Sequence, residues 1–206
     1  MNFKDLHPPI LEIPAHQTWH RVQRRSVRRG SVRLKGYVLA PTGGLTGRFD
    51  LADEPTAYLA DSPETALYES VFRREMRNCH WDRLLERMIV TFETRASLRL
   101  ADLRGLEERY PVLQSMRYET SQKFAQDCRQ QGLHGILYAS AQHPHHSCVC
   151  LFKEGIEQTK KLTAFALVQP STGNLLRSVV NAARGSQGPI IREYDWGVAI
   201  CLEAGF

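Results

Sequence analysis

The stretch GRFDLADEPTAYLADSPETALYESVF, residues 47–72, joins a glycine-led loop, a strand pattern and the start of a helix. Its TAYLA run (56–60) alternates as a short strand, with Tyr58 on the same face as its first and last residues. Ser62 is a good N-cap and Pro63 suits the first helical position, so a helix is predicted from Pro63 to about Asn78. A strand that leads directly into a helix indicates a fold that mixes both elements.

Three polar residues of this stretch are not obviously required for folding: Arg48, Tyr58 and Glu69. Glu69 lies in a mainly apolar part of the predicted helix, where a carboxylate is unfavourable unless it has a partner. Arg73, one turn later, offers an ordinary ion pair in the favourable orientation. The other interpretation is a polar site that needs a guanidinium, a phenol and a carboxylate together.

The rest of the chain shows strand and helix patterns in mixed order. Strands are predicted at 18–23, 88–93, 97–103, 135–141, 147–152 and 163–168, and helices at 118–132 and 174–184. This order predicts an α+β fold, a single compact mixed-sheet domain with a C-terminal extension. We divide the chain into an N-terminal extension (1–17), a central domain (18–168) and a helical and apolar extension (169–206).

Composition is that of a soluble globular protein: 206 residues, 42% hydrophobic and 24% charged, with no apolar run long enough to span a bilayer. The amino terminus has acidic residues and prolines where a secretion signal has a basic start and an apolar stretch. The five cysteines are odd in number and form no CxxC pair, which favours reduced thiols. We expect a cytoplasmic protein that contacts no membrane.

The net charge of +5 is concentrated in one region. Seven basic residues lie close together: Arg21, Arg24, Arg25, Arg28, Arg29, Arg33 and Lys35. Such a cluster attracts nucleic acid, a phosphate-bearing ligand or an acidic partner, or is simply a solvated edge. A nucleic-acid-binding protein or ribonuclease is therefore one alternative. The sequence has no recognised binding motif and few aromatic residues in the basic run, so direct nucleic-acid binding is not expected.

A second alternative is a metal site. The candidate ligands are His143, His145, His146, Cys148 and Cys150. Two cysteines on one strand face are also ordinary core residues, and none of the standard zinc spacings occurs. No metal is expected.

Four segments in order, TWHRV, TGRFDL, TAYLADSPETALYESVF and GLHGILYASAQ…SCVCLF, resemble the RES-domain family. The family is named for an arginine, a glutamate and a serine, which match Arg48, Glu69 and Ser140, and its tyrosine matches Tyr58. The resemblance covers about 18–168. The chain departs from the usual GGRFN motif with TGRFD, which places Asp50 where an asparagine is common.

The resemblance implies a fold similar to ADP-ribosyltransferases and NAD as the substrate, whose bond between nicotinamide and ribose is broken. It also implies the toxin of a toxin–antitoxin system, inhibited by a cognate antitoxin, expected to be an Xre-like DNA-binding protein. The acceptor stays open: water gives hydrolysis, inorganic phosphate gives phosphorolysis, and a protein side chain gives ADP-ribosylation. A RES-like scaffold that binds a nucleotide or partner without turnover is a further alternative.

The matched residue types suit this chemistry. The Arg48 guanidinium can hold a pyrophosphate through paired hydrogen bonds, and the Tyr58 ring can stack on the cationic nicotinamide. Glu69 can stabilise the oxocarbenium-like ribose that forms as nicotinamide leaves. Ser140 can bind a phosphate or ribose hydroxyl or orient the acceptor, and Arg21 can add a second anion contact.

Overall fold

The computed structural model of the chain describes residues 8–106, 111, 118–186, 189–193 and 199–202. Strands and helices alternate irregularly around a large mixed sheet, and the predicted α+β class is confirmed. The strands are β1 (Ile10–Ile13), β2 (Thr18–Arg24), β3 (Val32–Leu34), β4 (Tyr37–Leu39), β5 (Ala57–Ala60), β6 (Cys79–His80), β7 (Arg87–Thr94), β8 (Leu98–Asp102), β9 (Gly135–Ala139), β10 (Ser147–Leu151), β11 (Thr159–Ala166), β12 (Ile190–Glu193) and β13 (Ala199–Leu202). The helices are α1 (Pro63–Ser70), α2 (Trp81–Leu85), α3 (Glu119–Gln130), α4 (Lys153–Glu157) and α5 (Arg177–Ser186).

The main sheet has eight strands in the order β1-β8-β9-β10-β5-β2-β7-β11. Its pairs are antiparallel except for β8 with β9. Ser147 at the start of β10 faces the end of β9, and Cys148 is paired with Ala60 at the end of β5. The loop between β9 and β10 and the start of α1 therefore leave the sheet at the same edge. This topology brings two distant parts of the sequence to one place.

The core consists of three groups of buried side chains. One packs α1 and α5 against the sheet through Leu67, Val71 and Val179, and another surrounds α3. The third contains the parallel-stacked rings of Tyr37 and Phe92, whose centroids are 3.8 Å apart. Both segments that the sequence sets apart as extensions contribute to the fold, since β1 pairs with β8 and α5 packs on α1. The division at 17 and 168 remains a prediction.

Helix α1 begins as predicted and ends earlier. Thr65 N–H donates to Ser62 Oγ at 3.1 Å, so the predicted N-cap is confirmed. The predicted extension to residue 78 is wrong, because the helix ends at Ser70. The Leu67 carbonyl accepts from the amides of both Val71 and Phe72, at 2.7 and 3.0 Å, so the regular ladder stops there. A run of charged residues follows in turns and bends.

Other differences concern short or edge elements. The last predicted strand of the domain starts earlier than expected, at Thr159, because its first residues pair with β7. The sequence pattern missed this part because it has little apolar character. The helix predicted at 174–184 runs over Arg177–Ser186. Strands β1, β3, β4, β6, β12 and β13 and helices α2 and α4 have too few residues to give a periodic signal. Residues 187–188, 194–198 and 203–206 of the predicted apolar tail lie outside the described residues. In the part of the chain that the structure describes, every helix is too short or too polar to cross a bilayer.

Gly135 tests the close approach between β9 and β10. A Cβ atom on Gly135 would collide with the Cys150 carbonyl oxygen and lie 3.1 Å from Leu151 Cα, both backbone atoms of the neighbouring strand. We expect Gly135→Ala to lower the free energy of unfolding by about 1–3 kcal/mol, the usual range for overpacking. Gly44→Ala is the control, because its Cβ would meet nothing nearer than Pro41 O at 3.4 Å. Urea denaturation that shows equal losses for both variants would contradict the prediction.

Candidate active site

Glu69 and Ser140 are in direct contact. Ser140 Oγ donates to Glu69 Oε1 at 2.5 Å, which joins the end of α1 to the loop after β9. Seventy-one positions separate the two residues, and the shared sheet edge brings them together. Glu69 is half-buried, and a hydrogen bond to a charged group contributes about 1.5–3 kcal/mol. The partner that the Glu69 carboxylate requires is therefore the Ser140 hydroxyl. The alternative ion pair with Arg73 does not form, because Arg73 pairs with Glu75 at 2.6 Å.

The Ser140 hydroxyl is also an acceptor for its own loop. It accepts from the amides of Gln142 and His143, at 3.3 and 2.9 Å. The Gln142 amide lies 3.4 Å from Glu69 Oε1 as well. A hydroxyl has only one proton to donate, and Ser140 donates it in the hydrogen bond to Glu69. Ser140 therefore orients the carboxylate in this structure. A donor contact from Ser140 to phosphate would require that bond to break.

Two histidines of the β9–β10 loop contact α1 and the residue just before its N-cap. His143 Nδ1 lies 2.8 Å from Thr65 Oγ1, and His146 Nδ1 lies 3.0 Å from Asp61 Oδ1. The two imidazole rings stack with centroids 3.9 Å apart. Burial, and then the neighbouring His146, lower the pKa of His143, so its neutral form is favoured. These contacts set the position of Ser140 relative to the helix.

Arg48 reaches this group through Tyr138, which the sequence analysis did not select. The Arg48 guanidinium carbon lies 6.0 Å from the ring centroid of Tyr138 and 6.0 Å from that of Phe49. Burial is the main cause of a raised pKa for Tyr138, with Cys148 and Glu69 adding to the shift and Arg48 opposing it. Tyr138 thus lies within electrostatic reach of both Arg48 and Glu69. The sequence offered one signal: Tyr138 comes two residues before Ser140, and residues two apart along a strand point to the same face.

Asp50 fixes the loop that carries Arg48. Its two carboxylate oxygens accept from Gly47 N–H at 2.6 Å, from the Thr56 hydroxyl at 2.9 Å and from the Tyr58 hydroxyl at 2.9 Å. A Cβ atom on Gly47 would lie 2.5 Å from Tyr58 Oη, so only glycine fits there. An asparagine could form the same set if the two hydroxyls turned to accept from its amide group. The TGRFD departure therefore preserves the loop geometry and adds one negative charge.

Tyr58 and Arg21 line a separate cleft of about 250 Å³ under the same loop. Tyr58 Oη also accepts from the amide of Phe49 at 2.8 Å, and burial raises the pKa of Tyr58 well above its usual value. Arg21 donates to the carbonyls of Tyr58 and Val38, at 2.7 and 3.4 Å. Its buried Nε has no hydrogen-bond partner among the described residues, and burial lowers the pKa of its guanidinium.

The predicted residues therefore form two adjoining groups. Glu69 and Ser140 make one, with Arg48 joined to it through Tyr138, and Arg21 and Tyr58 make the other. The groups adjoin because Tyr58 and Tyr138 pack against the same part of the core, and Tyr138 contributes to the raised pKa of Tyr58. Such an arrangement can hold an extended, negatively charged ligand at one end and stabilise a cation at the other.

Most candidate ligands of the alternative metal site make other contacts, since His143 and His146 bond to Thr65 and Asp61. Cys148 and Cys150 are buried, and burial raises the pKa of both thiols. Within the described ranges, no three His, Cys, Asp or Glu side chains are grouped as metal ligands.

The comparisons with known proteins concern the family and the fold of the chain. The family model for the RES domain matches residues 18–169, and the chain belongs to the RES-domain family. A solved structure, the MbcT–MbcA toxin–antitoxin complex of M. tuberculosis, contains a chain of similar fold. The TM-score is 0.55 at 16% sequence identity, over 78% of this chain and 88% of that chain. No curated protein matches the sequence.

Asp50→Ala tests the loop network. Removing the carboxylate leaves three donors without their acceptor, so we expect the free energy of unfolding to fall by about 1–3 kcal/mol. Asp50→Asn should keep most of the stability that Asp50→Ala loses, because the amide group can replace the contacts of the carboxylate. Asp53→Ala, an exposed change in the same loop, serves as the control. Equal urea midpoints for Asp50→Ala and Asp53→Ala would show that the network does not stabilise the fold.

The His143 environment predicts a dependence of stability on pH. The folded protein holds His143 with a lowered pKa, whereas the unfolded chain protonates it near its ordinary value of 6.5. This contribution is complete above that value and is lost as the pH falls through the lower, folded pKa. We expect the urea midpoint to fall on acidification, and to fall less in His143→Asn, which keeps a polar partner for Thr65. The same decrease in both proteins would contradict this role for His143.

Proposed function

We propose that this protein is an NAD-consuming toxin that breaks the bond between nicotinamide and ribose. The observation that carries the proposal is the Glu69 carboxylate, held at 2.5 Å by Ser140 on a half-buried helix end. The similar fold of a chain in a toxin–antitoxin complex supports the same class.

Glu69 supplies the electrostatic part of the chemistry. As the C1′–N bond breaks, its electrons go to nicotinamide and positive charge develops on the ribose, as in glycoside hydrolysis. A fixed carboxylate 4 Å from that charge attracts it by about 1 kcal/mol in water and about 4 kcal/mol at an effective dielectric of 20. The difference of roughly 3 kcal/mol corresponds to about two powers of ten in rate. Ser140 and the amide of Gln142 hold the carboxylate in place, which avoids reorganisation during the reaction.

The second group of residues suits the dinucleotide. Arg21 reaches the cleft with a guanidinium whose Nε is still without a partner among the described residues, and the cleft lies beside the loop of Arg48. The guanidiniums of Arg21 and Arg48 can bind the two phosphates of a pyrophosphate. Tyr58, whose hydroxyl is bonded on both sides, presents a fixed ring against which nicotinamide can stack.

Depletion of NAD by hydrolysis or phosphorolysis is the activity proposed here, with water or inorganic phosphate as the acceptor at C1′. ADP-ribosylation of a protein would follow the same bond cleavage. A toxin of this kind acts on the cytoplasmic NAD pool and requires an antitoxin, which we propose as an Xre-like DNA-binding protein that covers the site.

Glu69→Gln is the decisive variant. The amide keeps the size and one acceptor for Ser140 but removes the charge, so nicotinamide release should fall by about 10²-fold or more with the fold intact. Glu64→Gln makes the same change on the same helix, where the side chain faces Asn181, and should retain activity. Release is measured by chromatography and folding by circular dichroism. Unchanged turnover in Glu69→Gln would refute the role assigned to Glu69.

The acceptor is identified with purified protein and NAD, with and without inorganic phosphate. Hydrolysis yields ADP-ribose in both cases, whereas phosphorolysis yields ADP-ribose 1″-phosphate only when phosphate is present. Mass spectrometry distinguishes the products and detects ADP-ribose added to protein. The wild type with no product under any condition would favour a binding scaffold over an enzyme.

A further inference from the structure

Four arginines gather where β2 ends and β7 begins. Arg24 is the direct antiparallel partner of Arg87, Arg25 follows in the chain, and Arg83 lies in the last turn of α2, just before β7. We refer to Arg24, Arg25, Arg83 and Arg87 as the arginine cluster. It includes part of the basic stretch found in the sequence and adds two arginines from a distant segment.

Two members of the arginine cluster are fixed by local contacts. Arg24 forms an ion pair with Glu86 at 2.5 Å, and the Arg25 guanidinium donates to the Leu85 carbonyl at 3.3 Å. The Arg25 amide also donates to the Glu86 carbonyl at 2.8 Å, which ties the end of β2 to the end of α2. These bonds hold the arginines on one rigid part of the surface.

Arg83 and Arg87 are different, because their guanidiniums have neither a hydrogen bond nor an ion pair within the described part of the chain. Both side chains are half-buried. Burial is the main cause of a lowered pKa for Arg87, and the positive charges of Arg83 and Arg24 lower it further. Glu86 raises the pKa of Arg87, but its effect is the smallest of these contributions. Asp82, on the same short helix, is exposed.

Like charges on directly opposite strand positions are unfavourable, and folding alone gives no reason to place Arg24 opposite Arg87. Two partly desolvated guanidiniums without partners are a further cost. An anion bound between them would remove both costs at once. Arginine is also the side chain best suited to bind carboxylates through paired hydrogen bonds.

We propose that the arginine cluster is a docking surface for an acidic segment of a partner protein, whose carboxylates pair with Arg83 and Arg87. The exposed Arg28, Arg29 and Arg33 continue the positive surface along the adjoining turn and β3 and would attract such a segment over a longer distance. Single-stranded nucleic acid is a poorer match, since it requires exposed aromatic rings for stacking. The nearby Trp81 is buried and has Arg192 over its ring at 5.1 Å. The inference does not depend on NAD cleavage.

The test uses two double variants that remove the same charge. Arg83→Gln/Arg87→Gln removes the unpaired members of the cluster, and Arg28→Gln/Arg29→Gln removes two exposed arginines of the adjoining turn. The probe is fluorescein-labelled hexaglutamate, with a labelled DNA duplex for comparison, and binding is followed by fluorescence anisotropy at low and physiological salt. We expect Arg83→Gln/Arg87→Gln to weaken peptide binding by about tenfold or more, and the turn variant by clearly less.

Thermal unfolding separates a docking role from a structural one. Relief of repulsion should leave the melting temperature of Arg83→Gln/Arg87→Gln equal to that of the wild type or higher, while binding falls. A lower melting temperature would show that the arginines stabilise the fold, and this would overturn the proposal. Equal loss of peptide binding in both double variants, or tighter binding of the duplex than of the peptide, would also overturn it. Activity towards NAD is not a readout, so failure here leaves the proposed enzyme function unaffected.

Discussion

The hydrogen bond from Ser140 to Glu69 depends on almost every level of this structure. It forms only because β10 pairs with both β5 and β9, so that the beginning of α1 and the β9–β10 loop lie at one sheet edge. It is maintained because Thr65 and Asp61 hold the two histidines of the loop. A carboxylate that is oriented and partly shielded in this way can act on a developing positive charge, which is why the site is coupled so closely to the fold.

The C-terminal extension supports the same helix from its other side. Val179 and Ala182 of α5 are fully buried against the cluster that contains Leu67 and Val71 of α1. Tyr68 contacts this cluster as well, and its hydroxyl lies so close to Gly185 that a side chain there would displace it. Residues beyond the RES match at 169 therefore pack against the helix that carries Glu69.

The sequence predicts the residues of this site better than their contacts. The cap at Ser62 follows from local rules and is confirmed. The end of α1 depends on the Leu67 carbonyl, which accepts from two amides, and helix propensities do not predict such a contact. Tyr138 was missed because a tyrosine in an apolar strand looks like an ordinary core residue until the sheet register is known. Likewise, the sequence identifies Asp50 only as a departure from a common asparagine, and the structure shows its three hydrogen bonds. Short strands such as β3 and β4 are stabilised by pairing, which a single segment of sequence does not encode.

Burial lowers the reactivity of the four cysteine thiols that the structure describes. Cys79, Cys128, Cys148 and Cys150 are all buried, and the pKa of each is raised, mainly by loss of solvation. The thiolate is the reactive form, so these cysteines react slowly with alkylating reagents and peroxide at neutral pH while the sheet is folded. The two cysteines of β10 lie directly opposite Ala60 and Tyr58 of the neighbouring strand β5. The rate at which a reagent modifies these two thiols therefore measures how often this part of the sheet opens. That rate follows local unfolding next to the NAD site proposed here.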